Sequence, residues 1–458
     1  MNDSANVDIK IPLAVAIGWG VGTVVPSIMF NITNIWLMPY MTNFMGIAAA
    51  AAGGIFFVSK IYDAVTDPLM GVISDKTRTR WGRQRPYLVL GALVSALSIL
   101  ALFAPPSAVT GDMAVWYMLF ALILYSTGYT IFNVPYLAMP AEMTQNFHER
   151  SFLMSWRVTA IQVAQIGALI GSSFLLSIFG DDREGYALVA WIMAGLIVMA
   201  GCTSFGMTAK ARFHEVPHGP TPPFREQLRT VVGNKPFLQL VGIKFMMLLA
   251  NSFSFGAYAY FVLRVLQETT DTMGYMFIAS TSSALLAIPI WLRISKLIGK
   301  QKSLMIACSI LALTSASWLL AGPGDPLFMI LLRPFGTGIA ASGMLMIGQS
   351  MLPDTIEYDR RRTGLERAGV FAGIYTTAEK MAYAFGPALT GFLLSSMGYV
   401  SGTQGMAIEQ PESAITAIYI AIGVAPGVCM LGAIYLIKFY KLDEEKLRAT
   451  TLDEAAPA

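Results

Sequence analysis

The sequence predicts an all-α polytopic membrane protein, with twelve transmembrane helices in two six-helix bundles. Three observations predict it. The 458 residues are 55% hydrophobic and only 13% charged, with a mean hydropathy of +0.58; ordinary domains carry about 25% charged residues. Twelve apolar segments match the roughly 20 residues that a spanning helix needs. Signals in the connecting turns also recur six segments apart.

The segments follow in order. The first, 11–44, comes after "MNDSANVDIKIPLAV", which lacks the basic n-region, short apolar core and cleavage site of a signal peptide; an uncleaved span is expected. Segment 47–74 is apolar except at "KIYDAVTDPLMG". A base-rich turn, "GVISDKTRTRWGRQRPYLVLG", leads into 87–105. Segment 113–141 ends in "NVPYLAMPAEMT", and "MPAEMTQNFHERS" leads into 151–179, which contains Arg157. Segment 186–208 completes the first bundle, 1–208, and the polar stretch 209–235 reads as a central loop. Segments 236–264 and 273–298 follow, then "WLRISKLIGKQKSLMIA" into 303–321. After 326–352, "LPDTIEYDRRRTGLERA" leads into 368–397, which holds Glu379 and Lys380. Segment 414–438 completes the second bundle, 236–440, before a tail at 441–458.

The turns after the second and eighth segments are both short, Gly-containing and basic. Those after the fourth and tenth both place Pro, then an acid, then Glu-Arg before the next helix. Two similar halves with a substrate between them at the bilayer midplane is the major facilitator arrangement. Basic residues set the orientation, because cytoplasmic loops collect them. Of 31 Lys and Arg, Lys60, Arg157, Lys244, Arg333 and Lys380 lie deep in predicted helices, and Arg183 and Arg264 fall toward one side. The remaining 24 gather toward the other side, the central loop and the ends. Both termini are therefore expected in the cytoplasm, in a multi-pass protein of the cytoplasmic (inner) membrane. The net charge of +3 echoes this bias and is no sign of nucleic-acid binding.

The buried charges need explaining. Asp63 and Asp67, at i and i+4, share one face of the second helix, with Lys60 one turn earlier and Thr66 between them. A charge at the bilayer centre costs from about 3 to well over 10 kcal/mol, and two adjacent carboxylates repel. A small cation relieves both costs, and hard oxygen ligands suit Na⁺, Li⁺ or a proton. Pro68 lacks an N–H, which frees the Ala64 carbonyl to line such a site. The alternative is that Lys60 pairs with Asp63 and braces two helices, although one lysine cannot neutralise both acids. Arg157, and at least one of Glu379 and Lys380, are expected to face a central cavity, since neighbours in sequence point about 100° apart. Lys244 and Arg333 lie nearer helix ends and are expected to snorkel. Cys202, Cys308 and Cys429 read as small core residues, and His148, His214 and His218 as solvated loop side chains. "DTIEYDRRRTGLER" mixes signs, which suggests ion pairs locking one conformation of a rocking protein. There is no Walker loop, no GxGxxG on a βαβ unit and no nucleophile elbow, so an enzyme finds no support.

"YDAVTDPLMGVISDKTRTRWGRQRPYL", "NVPYLAMPAEMT", "DTIEYDRRRTGLERAGVFAGIYTTAEK" and "GPALTGFLLSSMGY" together resemble the glycoside–pentoside–hexuronide:cation symporters, the melibiose permease-like family. The resemblance covers nearly the whole chain. It implies a twelve-helix fold and secondary transport of a sugar-like solute driven by Na⁺, H⁺ or Li⁺. It also implies cation binding by Asp63 and Asp67, with Thr66 and Thr130 contributing, and sugar binding by Arg157, Lys380 and Tyr129. The chain departs from that pattern in three places. An acid of the fourth-helix site is Asn133 here, and a Trp that stacks on the sugar is Leu137. A first-helix acid has no counterpart in "GTVVPSIMFNITNIW", where Asn31 and Asn34 are the polar groups available. Asn133, Asn31, Asn34 and Glu379 complete the expected polar lining. The expected activity is cation-coupled symport of a neutral sugar, glycoside or related solute, without a cofactor and with Asp63 and Asp67 as ligands if the ion is Na⁺. A carrier of a non-sugar amphiphile such as a lysolipid, or a transport-inactive sensor, are the alternatives.

Overall fold

The computed structural model describes residues 11–144, 147–211, 233–363, 368–402 and 409–442. The central stretch between 212 and 232, with His214 and His218, and the tail from 443 lie outside them, as does the His148 side chain. The described residues form twelve helical rods: α1 (Leu13–Asn43), α2 (Ala49–Lys76), α3 (Arg85–Phe103), α4 (Asp112–Met143), α5 (147–179), α6 (Arg183–Lys210), α7 (Lys235–Val265), α8 (Thr270–Ile298), α9 (Lys300–Leu320), α10 (Leu327–Thr363), α11 (Ala368–Ser396) and α12 (Glu412–Phe439). Ten of them are apolar and long enough to cross a membrane. The other two, α2 and α11, carry Lys60, Asp63 and Asp67, and Glu379 and Lys380.

Rods α1–α6 pack into one bundle and α7–α12 into another. A π-helical turn at Thr33–Leu37 of α1 recurs at Phe261–Val265 of α7, six rods on. The sequence places α10 short. It continues through Pro353 to Thr363, because a proline's lost hydrogen bond is tolerable where the helix emerges into water. Its 37 residues extend about 55 Å, well past a hydrocarbon core of about 30 Å. Likewise α5 begins at Phe147 rather than 151. Cys308 and Cys429 are buried, but Cys202 is exposed on α6, a correction to its expected core position.

The bundles meet unequally along their length. At the end opposite the base-rich loops one continuous core joins α1–α6 to the adjacent ends of α7, α8, α11 and α12, through Tyr260, Phe261, Met273, Phe277, Tyr399 and Ile418. At the base-rich end the second bundle keeps a separate core, around Phe237, Trp291, Leu304, Phe371 and Ile437. The halves are thus sealed at one end and parted at the other. The hydrogen bonds of the seal join neutral groups. Thr42 Oγ1 and the Tyr260 hydroxyl lie 2.7 Å apart, the Tyr399 hydroxyl donates to Asn43 Oδ1 at 2.7 Å, and Gly402 N–H donates to the Thr42 carbonyl at 2.8 Å. Gly391 of α11 packs against the Ala49 carbonyl and the Met38 side chain, leaving no room for a Cβ. Arg183 and Arg264 sit beside this seal: Arg183 reaches the Met45 sulfur at 2.8 Å, and Arg264 interacts with the Tyr399 hydroxyl.

Candidate functional site

The two charge-bearing rods, α2 and α11, pack against each other across the bundles. Their backbones touch at Gly53, where a Cβ would stand 2.7 Å from the Pro387 carbonyl oxygen. Small residues allow such an approach in lipid, where no hydrophobic drive pulls helices together. About two turns further along α2, at Lys60, the charges begin.

Asp63 is 4% exposed and accepts from Lys60 Nζ at 2.9 Å, while its Oδ1 is buried with no hydrogen-bond partner. Lys60 also lies 5.9 Å from the Tyr125 ring centre. Asp67, one turn on, accepts from Thr130 Oγ1 of α4 at 2.6 Å and forms an ion pair with Lys380 Nζ of α11. The second carboxylate is thus neutralised from the opposite bundle. Sequence reasoning missed this pairing, since only the rotation of α11 against α2 decides which of two adjacent residues crosses. Glu379 turns the other way and accepts from Lys244 Nζ of α7 at 2.8 Å, within its own bundle. Lys244 is 8% exposed and lies 3.6 Å from the Tyr375 ring centre. The snorkelling expected of Lys244 is therefore corrected: its ammonium is buried and takes the more exposed Glu379 carboxylate of α11 as its partner. Arg333 behaves as a helix-end residue, paired with Asp325 at 2.9 Å.

Tyr129 lies within electrostatic reach of Asp63, Glu379 and Arg157, so α4 gathers these groups around one aromatic. Arg157 engages the Tyr136 hydroxyl, and the Tyr136 ring stacks on Trp19 with centres 5.0 Å apart. The Arg157 Nε is buried with no hydrogen-bond partner. Asn133 is half-buried on the stripe of α4 that carries Tyr129 and Tyr136, with Thr130 turned further round toward α2. The remaining polar candidates are turned along their own helices. Thr66 donates to the Tyr62 carbonyl at 3.0 Å, Asn31 to Ser27 at 2.8 Å and Asn34 to Phe30 at 2.7 Å. Each thereby satisfies a polar group on its own helix. Leu137 is 44% exposed. In "DTIEYDRR", Glu357 binds Arg360 and Arg361 on the same helix, both at 2.8 Å, and Asp354 binds Lys300 of α9 at 2.6 Å, within the same half. None of these three pairs crosses between the halves.

The donor set suits a small hard cation. Among the described residues no three His, Cys, Asp or Glu form a metal-ligand group. A cation here would rest on two carboxylates and on hydroxyl or carbonyl oxygens, the Thr130 Oγ1 foremost.

Comparison with known proteins adds to this geometry. The family described as MFS/sugar transport protein matches residues 18–444. The putative glycoside/cation symporter YagG of Escherichia coli (strain K12) is 28% identical over 451 residues, covering 94% of this chain and 93% of the relative. The isoprimeverose transporter of Lactiplantibacillus pentosus is 28% identical over 434 residues, covering 91% and 86%. The crystal structure of the nucleoside transporter NupG superposes with a TM-score of 0.60 at 13% identity, covering 94% of this chain and all of that one. That likeness concerns the fold.

Proposed function

The chain belongs to the MFS/sugar transport protein family, and from that premise we propose that it carries a sugar, glycoside or related small solute across the cytoplasmic membrane, coupled to Na⁺ or H⁺. Both termini face the cytoplasm in this reading, and the halves 1–208 and 236–440 rock about the α2–α11 seam. The sealed end then faces outward and the parted end inward, toward the base-rich loops.

One observation carries the reading: Asp67 is held at once by Thr130 of its own half and Lys380 of the other. Lys380 occupies the place that a free cation would take beside that carboxylate and hydroxyl. An arriving ion must displace the ammonium, and doing so cuts an ionic link between the halves. Ion occupancy and the relation of the halves are thereby one equilibrium, and the solute between the halves shares it. Linkage then requires ion and solute to raise each other's affinity by the same factor. Asn133, beside Tyr129, is the neutral group on the solute's side of α4.

The test is solute uptake by purified protein in liposomes under an imposed Na⁺ or H⁺ gradient. Wild-type protein should concentrate solute with at least one gradient, and Asp67→Asn should only equilibrate it. Gradient-driven accumulation by Asp67→Asn at the wild-type level sinks the assignment.

A further inference from the structure

Resting on that reading, we propose that Tyr136 is a positioning residue: with Trp19 and Thr23 it fixes the Arg157 guanidinium in the wall between the halves, where the solute meets it. The seat begins with a fault in α1. Trp19 and Thr23 stand at i and i+4, on one face of that helix. A regular helix would send the Thr23 N–H to the Trp19 carbonyl. Here the helix is interrupted at Thr23, whose N–H donates to the Gly20 carbonyl at 2.9 Å. The Trp19 carbonyl accepts from the Tyr136 hydroxyl of α4 instead, also at 2.9 Å.

Tyr136 is buried and held on several sides. Trp19 Nε1 donates to its backbone carbonyl at 3.2 Å, the Trp19 and Phe132 rings stack on its ring, and Thr23 Oγ1 lies 2.5 Å from its hydroxyl. At Gly22 a Cβ would stand 2.7 Å from the Tyr136 ring, so α1 closes tightly over it. A phenol has one proton to give, and the Trp19 carbonyl takes it. Thr23 is then the donor of its own contact, and the Tyr136 oxygen turns to α5 as an acceptor, which is what the Arg157 guanidinium engages. At Gly20 a Cβ would stand 3.1 Å from the Trp156 carbonyl, so the same stretch of α1 also presses on the backbone beside Arg157.

Arg157 needs a holder because carboxylates are near. It acts on Tyr129 together with Asp63 of its own half and Glu379 of the other. Both acids have lysines, Lys60 and Lys244, yet an untethered guanidinium would still turn to one of them, because charge-assisted hydrogen bonds are the stronger kind. Contact with Asp63 would intrude on the ion site, and contact with Glu379 would tie the halves together across the path of the solute. The Tyr136 hydroxyl offers a neutral partner instead. It leaves donors of the planar fork unspent, the buried Nε among them. Every part of the seat belongs to the first half, so it travels with α5 as the halves rock.

Calorimetry on the purified protein tests this, with the methyl α- and β-glycosides of glucose, galactose and xylose as probes and the tightest binder carried forward. Tyr136→Phe keeps the stacked ring and removes the hydroxyl; it should weaken binding about tenfold, the scale of a hydrogen bond to a charged group. Thr23→Val should weaken binding less, and Thr23→Ser should restore it. In an Arg157→Gln background, adding Tyr136→Phe should change affinity no further, because the hydroxyl acts through the guanidinium. Each variant is checked by its melting temperature. An equal loss in both backgrounds marks a merely structural role and overturns the inference while leaving the sugar-transport reading in place. So does wild-type affinity in folded Tyr136→Phe. Where Tyr136→Phe does not fold, or Arg157→Gln alone abolishes binding, the Thr23 pair decides: Thr23→Ser no better than Thr23→Val overturns the inference. If no glycoside binds the wild-type protein, the sugar reading falls and the inference with it.

Discussion

The two halves are joined by different chemistry at two depths. Midway along α2 and α11 the link is ionic, Asp67 to Lys380, flanked by Lys60–Asp63 and Lys244–Glu379. At the sealed end its hydrogen bonds are neutral, between Thr42 and Tyr260 and between Asn43 and Tyr399, beside the close approach at Gly391, with Arg264 in electrostatic reach of Asp181. The difference follows from what each must do. A hydroxyl pair can part and leave two groups that water satisfies at little cost. An ion pair in the membrane cannot part unless another ion takes over, so it suits a step that should occur only with cargo present. On the transport reading proposed above, the seal sets how readily the molecule opens, and the ionic seam sets when.

The largest expected effect is therefore at the seam. Removing Lys60 strands the Asp63 carboxylate, which is 4% exposed, without its ammonium. Breaking a buried pair from one side costs about 3 kcal/mol or more. Lys60→Ala should lower the melting temperature in detergent clearly, and Lys60→Met combined with Asp63→Leu should restore most of it. A single mutant as stable as wild type would mean that water already screens the pair.

Next comes the close contact in the seal. A Cβ at Gly391 meets the Ala49 carbonyl, a backbone atom that cannot rotate away. Gly391→Ala should cost about 2 kcal/mol of the sealed arrangement, the usual scale for overpacking. Spin-label distances between the α1–α2 turn and the α11–α12 loop should lengthen. Unchanged distances with unchanged stability would show that the helices there separate more easily than their packing implies.

Tyr260→Phe removes only the hydroxyl facing Thr42, a neutral hydrogen bond worth about 1 kcal/mol net. The same distances should shift by a minor population, and the melting temperature by little. An effect as large as that of Lys60→Ala would erase the contrast between seal and seam.

These contrasts were unevenly legible in the sequence. The spans were, because apolar length is a local property, and so was the oddity of α2, where Asp63 and Asp67 interrupt it. The partner of Asp67 was not: Glu379 and Lys380 differ by one position, and which faces α2 is set by tertiary rotation. Lys244 misled because its distance from the helix end permits snorkelling, and only the position of Glu379 rules it out. The bond that Thr66 makes was not legible either: its hydroxyl donates to the Tyr62 carbonyl one turn back. The segment 326–352 ended where apolar length ended, whereas α10 continues through Pro353 to Thr363.

That protruding end of α10 supplies the smallest effect and a calibration for the rest. Glu357 holds Arg360 and Arg361 at 2.8 Å, a geometry as good as that of Lys60–Asp63. Hydrogen bonds from the two guanidinium groups hold its carboxyl below the ordinary value of 4.5. The sign is that of a depressed acid: the stabilisation is complete above about pH 4.5 and is lost as the pH falls through the lowered value. In water such helical pairs contribute only about 0.3 kcal/mol each. Glu357→Gln should therefore speed amide exchange at residues 355–363 slightly at neutral pH, and by less as the pH falls through the lowered value, with the melting temperature unmoved. If Glu357→Gln instead destabilised the protein as much as Lys60→Ala, ion pairing itself would be the strong element. The expected gap between them, roughly tenfold in energy by the two scales, assigns the strength to the low-dielectric interior: the same charges matter at Asp63 and Asp67 because nothing but another ion can replace what they hold.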